Sequence, residues 1–371
     1  MKVVIIGGVA GGATAAARLR RLDENAEIII LERSGYVSYA NCGLPYYIGG
    51  EITDREALTL QTPESFFRRF RIDVRTRQEA VRIDRKEKRV LVHNLADGTE
   101  YTENYDKLIL SPGARPLIPD ISGTDAPGVF HLRTVEDTFR IYDYIAQKHP
   151  KSAAVIGGGF IGLEMAENLK SRGLDITLLQ RSGQVMPPLD EDMASIVHNY
   201  MRAKKIDLRL RASVTGISAT ESSLKIHLAE SEPISAELVI LAVGVIPENH
   251  LAKEAGLALG MKGAIRTNSH MQTDDPDIYA VGDAVEVIHF VSGEHAVISL
   301  AGPANKQGRV AADHICGVPR HFKGSQGSSV LKLFDMTIAS TGLNEKSIRA
   351  AGMDFDSVII GSASHAAYYP E

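Results

Sequence analysis

At 371 residues the chain exceeds what one ordinary core holds, so two or three domains are expected. A net charge of −5, with 44% hydrophobic and 23% charged residues, marks a globular chain and argues against a nucleic-acid or polyanion scaffold. Cys42 and Cys316, the only cysteines, make no disulfide framework and suit a reducing compartment, and the apolar run over 3–6 is too short for a signal-peptide core or a membrane span. These features together read as a cytoplasmic protein.

The opening over 2–12 is a buried parallel-strand pattern that runs into a glycine-rich turn and an alanine-rich helix. A second strand over 27–31 ends on Glu32, followed by Arg33. Strand, glycine turn, helix, strand and terminal acid are the parts of a dinucleotide site: the backbone approaches a pyrophosphate at the helix N-terminus, and the acid takes up a ribose. Gly7, Gly8, Ala10, Gly11, Glu32 and Arg33 are its candidate contacts, with Val9 in the place of the middle glycine. On the helix, Thr14, Arg18 and Arg21 recur at i, i+4 and i+7, opposite Ala15, Ala16, Leu19 and Leu22. Such a basic stripe is either a solvated face or a phosphate site, because arginine binds phosphate bidentately.

The next stretch, 38–47, carries Cys42. Pro45 suits the first turn of a helix, which would place Cys42 just outside a helix N-terminus that favours the thiolate. The alternative is a small buried hydrophobe, the commoner fate of a lone cysteine. Phe66 and Phe67, followed by Arg68, Arg69 and Arg71, read as helix core and helix surface.

A strand over 105–110 leads into a small-residue turn with Ser111 and Gly113. Residues 151–164 then repeat the nucleotide unit, with Gly157, Gly159 and Gly162 all in place and a second strand over 175–179 ending at Gln180-Arg181-Ser182. Two such units imply two dinucleotides. Strands over 237–243 and 278–281 end at Gly244 and at Gly282-Asp283, as crossovers between two nucleotide domains do. After a polar, glycine-rich link over 324–329, strands over 330–334 and 337–340, a helix over 345–351 and a strand over 357–360 suggest a third, separately packed α+β piece. Cys316 ends an apolar helical run and reads as structural. The histidines show no metal-ligand spacing, and no hydrolase elbow occurs.

These motifs, together with Ser38-x-x-x-Cys42-Gly43-x-Pro45-Tyr46 and the closing His365-x-x-Tyr368-Tyr369-Pro370, resemble the pyridine nucleotide–disulfide oxidoreductases over essentially the whole chain. Within them the chain looks most like the single-cysteine branch of coenzyme A disulfide reductases, NADH-dependent persulfide reductases, and NADH oxidases and peroxidases. The resemblance implies an α/β fold with two Rossmann-like domains and a partial α+β interface domain. Residues 1–112 and 247–322 would hold FAD, 113–246 NAD(P)H, and 323–371 would form the interface piece of a homodimer, cut short here. FAD would meet Glu32 at its adenosine ribose and Asp283 at its ribityl chain, with Asn41, Ser111, Gly113 and Gly282 nearby. NAD(P)H would lie against Gly157, Gly159, Gly162 and Gly244.

Where relatives carry a cysteine pair, this chain has Val37 as the partner of Cys42. By the resemblance, Cys42 then takes its second sulfur from the substrate, coenzyme A disulfide or a coenzyme A-linked persulfide or polysulfide. Thr14, Arg18, Arg21, Ser38 and Asn41 would bind the coenzyme, and Tyr368 or Tyr369 would reach the active site of the partner subunit. The alternative is an NADH oxidase or peroxidase working through a Cys42 sulfenic acid. Val9-Ala10 stand where peroxidases carry a histidine, which weighs against peroxide. Gln180-Arg181 offers no carboxylate against a 2′-phosphate, so use of both NADH and NADPH is expected.

Overall fold

The computed structural model describes residues 1–371 apart from 60, 364, 365, 367 and 369–371. A five-stranded parallel sheet is ordered Ile278–Ala280, Lys107–Leu110, Lys2–Ile6, Glu27–Glu32, Asp73–Thr76. Its central strands are unbroken apolar runs because they are covered by other layers, the helix Ala10–Leu22 and the antiparallel sheet over 78–104, whose Ala80, Ile83, Val90 and Val92 share their core, and Val3, Val4 and Ile5 are fully buried. One covering pair is Ala10–Leu22 against Ala301–Ile315. These helices touch backbone to backbone, since a Cβ at Gly308 would stand 2.3 Å from the Gly11 carbonyl oxygen.

A second five-stranded parallel sheet is ordered Asp207–Leu210, Asp175–Gln180, Ser152–Ile156, Leu238–Leu241, Val129–His131. The chain leaves the first sheet after Lys107–Leu110 and returns to it only at Ile278–Ala280. It crosses on a two-stranded antiparallel ribbon, Ala114–Pro116 with Val245–Pro247, so the first sheet is assembled from two separated stretches of sequence. Two antiparallel three-stranded sheets, built over 78–104 and 214–236, complete the β structure of these layers.

The C-terminal part departs from the sequence reading in two ways. Strands Ser329–Leu333 and Met336–Ser340 form a hairpin and Glu345–Ala350 a helix, but Leu331, Leu333 and Ile338 join the core of the second sheet rather than building one of their own. The strand expected over 357–360 is irregular, with Val358, Ile359 and Ile360 exposed at 85%, 77% and 80%. A short apolar, β-branched run becomes a strand only where a neighbour takes its hydrogen bonds, and none of the described strands lies alongside.

Candidate functional site

The two glycine turns are built alike. Gly7 has φ 97°, and a Cβ there would stand 2.1 Å from the Ser111 carbonyl oxygen; Gly157 has φ 113°, with the Ala242 carbonyl oxygen at 2.2 Å. Side chains are excluded at both by conformation and by space. The third glycines close the same turns, since a Cβ at Gly12 or Gly162 would meet the carbonyl oxygen of Gly7 or Gly157 at 2.0 and 1.9 Å. The middle position carries no such demand: Gly159 has φ −87° and nothing near its Cβ site, and Val9 has φ −104°. Both residues are extended N-caps, which explains why valine replaces glycine in the first unit.

The strand-end residues also match. Buried Glu32 accepts from the Gly8 amide at 2.8 Å and from the Ser34 amide at 2.9 Å. In the second unit the neutral Gln180 oxygen accepts from the Gly158 amide at 3.0 Å. Arg181 beside it is exposed.

A cleft of about 1070 Å³ opens over the first turn, lined by Gly7, Gly8, Glu32, Arg33, Asn41, Ser111 and Gly113. Ser111 reaches it on a backbone amide donated to the Ile6 carbonyl at 2.7 Å, and Gly113 turns the chain at φ 75°. Gly244 makes the corresponding turn beyond the second sheet at φ 122°. Ala10 opens the Ala10–Leu22 helix and Gly11 is buried beneath it.

Asp283 follows the turn at Gly282. Burial pushes its carboxyl up, opposed by the Arg133 guanidinium at 3.4 Å. The sequence reading missed Arg133, which also lines the cleft and donates from Nε to the Ala114 carbonyl at 2.9 Å. It missed Gln307 as well, a buried side chain whose oxygen accepts from the Gly282 amide at 2.7 Å. Neither belongs to a local pattern; both arrive from distant sequence.

Cys42 lies exposed in the 3₁₀ turn Asn41–Gly43, ahead of the helix Leu44–Gly49 with Pro45 in its first turn. The expected lowering of its pKa is not what the site does. Partial burial of the thiol raises it, and the Glu164 carboxylate adds to the rise. A six-residue helix has little macrodipole to set against them. Val37 is buried and bridges to Gln61, so no second sulfur stands beside Cys42.

Glu164 comes from the second unit's helix, Phe160–Ser171, which packs on the cysteine helix so closely that a Cβ at Gly49 would meet Asn168 Oδ1 at 2.1 Å. Burial pushes the Glu164 carboxyl up to about 7, and neighbouring Glu167 adds to this. Glu167 is itself buried, with no hydrogen-bond partner for Oε2 among the described residues. Above pH 7 the Glu164 carboxylate therefore opposes the Cys42 thiolate. Glu164→Gln is expected to move the pH profile of Cys42 alkylation by iodoacetamide to lower pH, with faster labelling at pH 8; an unchanged profile would separate the two groups.

The basic stripe divides. Thr14 Oγ1 donates to Asn305 Oδ1 at 2.6 Å, and Arg18 Nε to the fully buried Asp313 at 2.7 Å, whereas Arg21 is exposed. Ser38, at φ 49°, donates its amide to the Gly8 carbonyl at 2.9 Å, which draws the cysteine loop to the first glycine turn. Asn41 borders the cleft next to Cys42. Tyr368 is 83% exposed, and His365, Tyr369 and Pro370 fall outside the described residues. Phe66 is buried and Phe67 exposed, as helix core and surface. Cys316 caps the Ala301–Ile315 helix half-buried, its thiol pushed up by burial.

The groups around the cleft fit FAD: a turn whose backbone is kept clear of side chains at Gly7 and Gly12, a buried acid at the strand end, and a second acid past Gly282. The second turn offers the same cradle to a pyridine nucleotide. Among the described residues no helix is long and apolar enough to cross a membrane.

Comparison with known proteins agrees. A Methanocaldococcus jannaschii protein named NADH oxidase is 38% identical over 374 residues, which cover 100% of this chain and 82% of that one. A coenzyme A disulfide reductase of Staphylococcus haemolyticus is 35% identical over 370 residues, with the same coverage. The crystal structure of reduced Bacillus anthracis CoADR-RHD superposes with a TM-score of 0.97 at 49% identity, covering all of this chain and 66% of that one. Residues 1–308 match the family model described as pyridine nucleotide-disulphide oxidoreductase, and the chain belongs to that family of FAD- and NAD(P)H-using enzymes.

Proposed function

We propose that this enzyme reduces coenzyme A disulfide, or persulfide and polysulfide sulfur carried on coenzyme A, with electrons from NAD(P)H. The observation that carries the reading is the exposed Cys42 with Val37 where a second cysteine would stand. Such a cysteine has to draw its partner sulfur from outside. The Cys42 thiolate attacks one sulfur of the substrate; the sulfur–sulfur bond breaks, the first thiol leaves and takes a proton, and Cys42 stays in a mixed disulfide. Bound FAD supplies the two-electron relay between nicotinamide and sulfur. Two electrons then break the Cys42 mixed disulfide, the second thiol leaves, and the Cys42 thiolate is restored. In sum, one NAD(P)H and one proton convert one disulfide to two thiols.

In this reading residues 1–112 and 247–322 form the FAD domain and 113–246 the NAD(P)H domain, supported by the ribbon at Ala114–Pro116 and Val245–Pro247 where the chain passes between sheets. Gly7, Gly8, Ala10, Gly11 and Ser111 present backbone to FAD, with Glu32 and Asp283 at its hydroxyls. Gly157, Gly159, Gly162 and Gly244 border NAD(P)H, and Thr14, Arg18, Arg21, Ser38 and Asn41 hold the coenzyme. The working unit is taken as a cytoplasmic homodimer, its interface in 323–371; the exposed apolar Val330, Val358, Ile359 and Ile360 support that placement.

Anaerobic NAD(P)H oxidation with coenzyme A disulfide is expected to release two thiols per NAD(P)H, and mass spectrometry of the native protein a coenzyme A adduct on Cys42. The second reading, an oxidase acting through a Cys42 sulfenic acid, is favoured by the Methanocaldococcus relative. Oxygen consumption exceeding thiol release in air would decide for it.

Gln180 holds the place of Glu32 without its charge. Gln180→Glu is expected to raise KM for NADPH about tenfold, through repulsion of the 2′-phosphate, and to leave KM for NADH within about twofold. An equal effect on both cofactors would remove Gln180 from the ribose site.

A further inference from the structure

The predicted substrate stripe has a second wall. On the Ala301–Ile315 helix, Asn305, Arg309 and Asp313 stand in one row at i, i+4 and i+8. The two ends of that row hold the stripe: Asn305 accepts from Thr14 Oγ1 at 2.6 Å, and Asp313 pairs with Arg18 at 2.7 Å. Arg309, between them, is exposed and folds back along its own helix, donating from Nε to the Asn305 carbonyl at 3.3 Å. Its Nη groups make no ion pair with any described residue.

Arg21 and Lys306 are likewise exposed and unpaired among the described residues, on the same two helices. Arg20, one position from Arg21, shows the contrast: its guanidinium donates to the carbonyls of Phe70, Asp23, Glu24, Ala26 and Arg71. Asp313 does not neutralise the group, because it is shared between Arg18 and Arg320, the latter at 3.0 Å. The carboxylate of this seam, Asp313, is thus already committed to Arg18 and Arg320, and Arg21 and Arg309 have no acid of their own among the described residues.

We infer that Arg309 is a specificity-determining residue of the substrate site, its free guanidinium edge joining Arg18 and Arg21 in binding the phosphoryl groups of the coenzyme. The inference rests on the coenzyme A reading above and extends it to a residue nearly three hundred positions away in sequence. The Nε bond holds the fork against the backbone of Asn305, the residue whose side chain takes Thr14, and the two Nη groups are left to engage an anion bidentately.

The test is calorimetric binding of coenzyme A to the flavin-loaded protein, with NAD⁺ at saturation so that the second dinucleotide site is filled. Arg309→Gln is expected to weaken Kd about tenfold, Arg309→Lys to recover part of the loss, and Arg202→Gln, the same charge change on an exposed helix elsewhere, to bind as the parent does. KM for coenzyme A disulfide should rise with Kd. If Arg309→Gln binds coenzyme A like the parent while the parent still turns over coenzyme A disulfide, the assignment of Arg309 falls and the function stands. If the parent neither binds coenzyme A nor reduces its disulfide, both fall.

Discussion

Cys42→Ser is expected to lower NAD(P)H-driven reduction of coenzyme A disulfide by at least about 10³-fold, the scale of losing a covalent nucleophile. A hydroxyl neither attacks sulfur nor holds a mixed disulfide, and no described residue stands in: Cys316 caps the Ala301–Ile315 helix with its thiol pushed up by burial, and Val37 fills the partner position. The half-reaction upstream does not use the sulfur, so flavin absorbance in the variant should still bleach anaerobically on addition of NAD(P)H. Bleaching without thiol release places the block at Cys42. Thiol release at the parental rate would end the proposed mechanism, and loss of bleaching would point to a damaged cofactor site instead.

The second large effect is expected at Gly12. A Cβ there would stand 2.0 Å from the Gly7 carbonyl oxygen and 3.1 Å from Ile5 Cγ2, with backbone on one side and a core strand on the other. Neither gives way as the end of a flexible side chain does. Gly12→Val should destabilise the first unit by about 3 kcal/mol or more and empty it of flavin, since the turn that would open is the one presenting amides to the pyrophosphate. The readouts are the ratio of flavin to protein absorbance after purification and the thermal midpoint. Gly159→Ala is the folding control: with φ −87° and nothing near its Cβ site, it should leave the midpoint unchanged. A Gly12→Val protein that purifies with full flavin would contradict the close packing of the turn.

The two nucleotide units were legible from sequence because each is local. Strand, turn and helix lie within about thirty residues, and Gly12 and Gly162 are required by carbonyl oxygens of their own turns, whereas Gly7 and Gly157 are required by Ser111 and Ala242 from distant strands. The absence of a second cysteine was legible for the same reason, as a spacing of five positions.

What tertiary structure alone decided concerns groups brought together from afar. The Cys42 pKa could not be read from Pro45 and its helix, because burial of the thiol in the folded chain raises it and Glu164, over a hundred residues on, adds to the rise. The basic stripe could be seen on its own helix, but not that Asn305, Arg309 and Asp313 stand across from it. The expected strand over 357–360 shows the reverse limit, since a strand needs a neighbour and a β-branched apolar run cannot supply one. Sequence determined the backbone cradles, whose strand, glycine turn and helix follow one another along the chain. Packing determined the charges around them, because an electrostatic environment is set by whatever the fold places within a few ångströms, regardless of order along the chain.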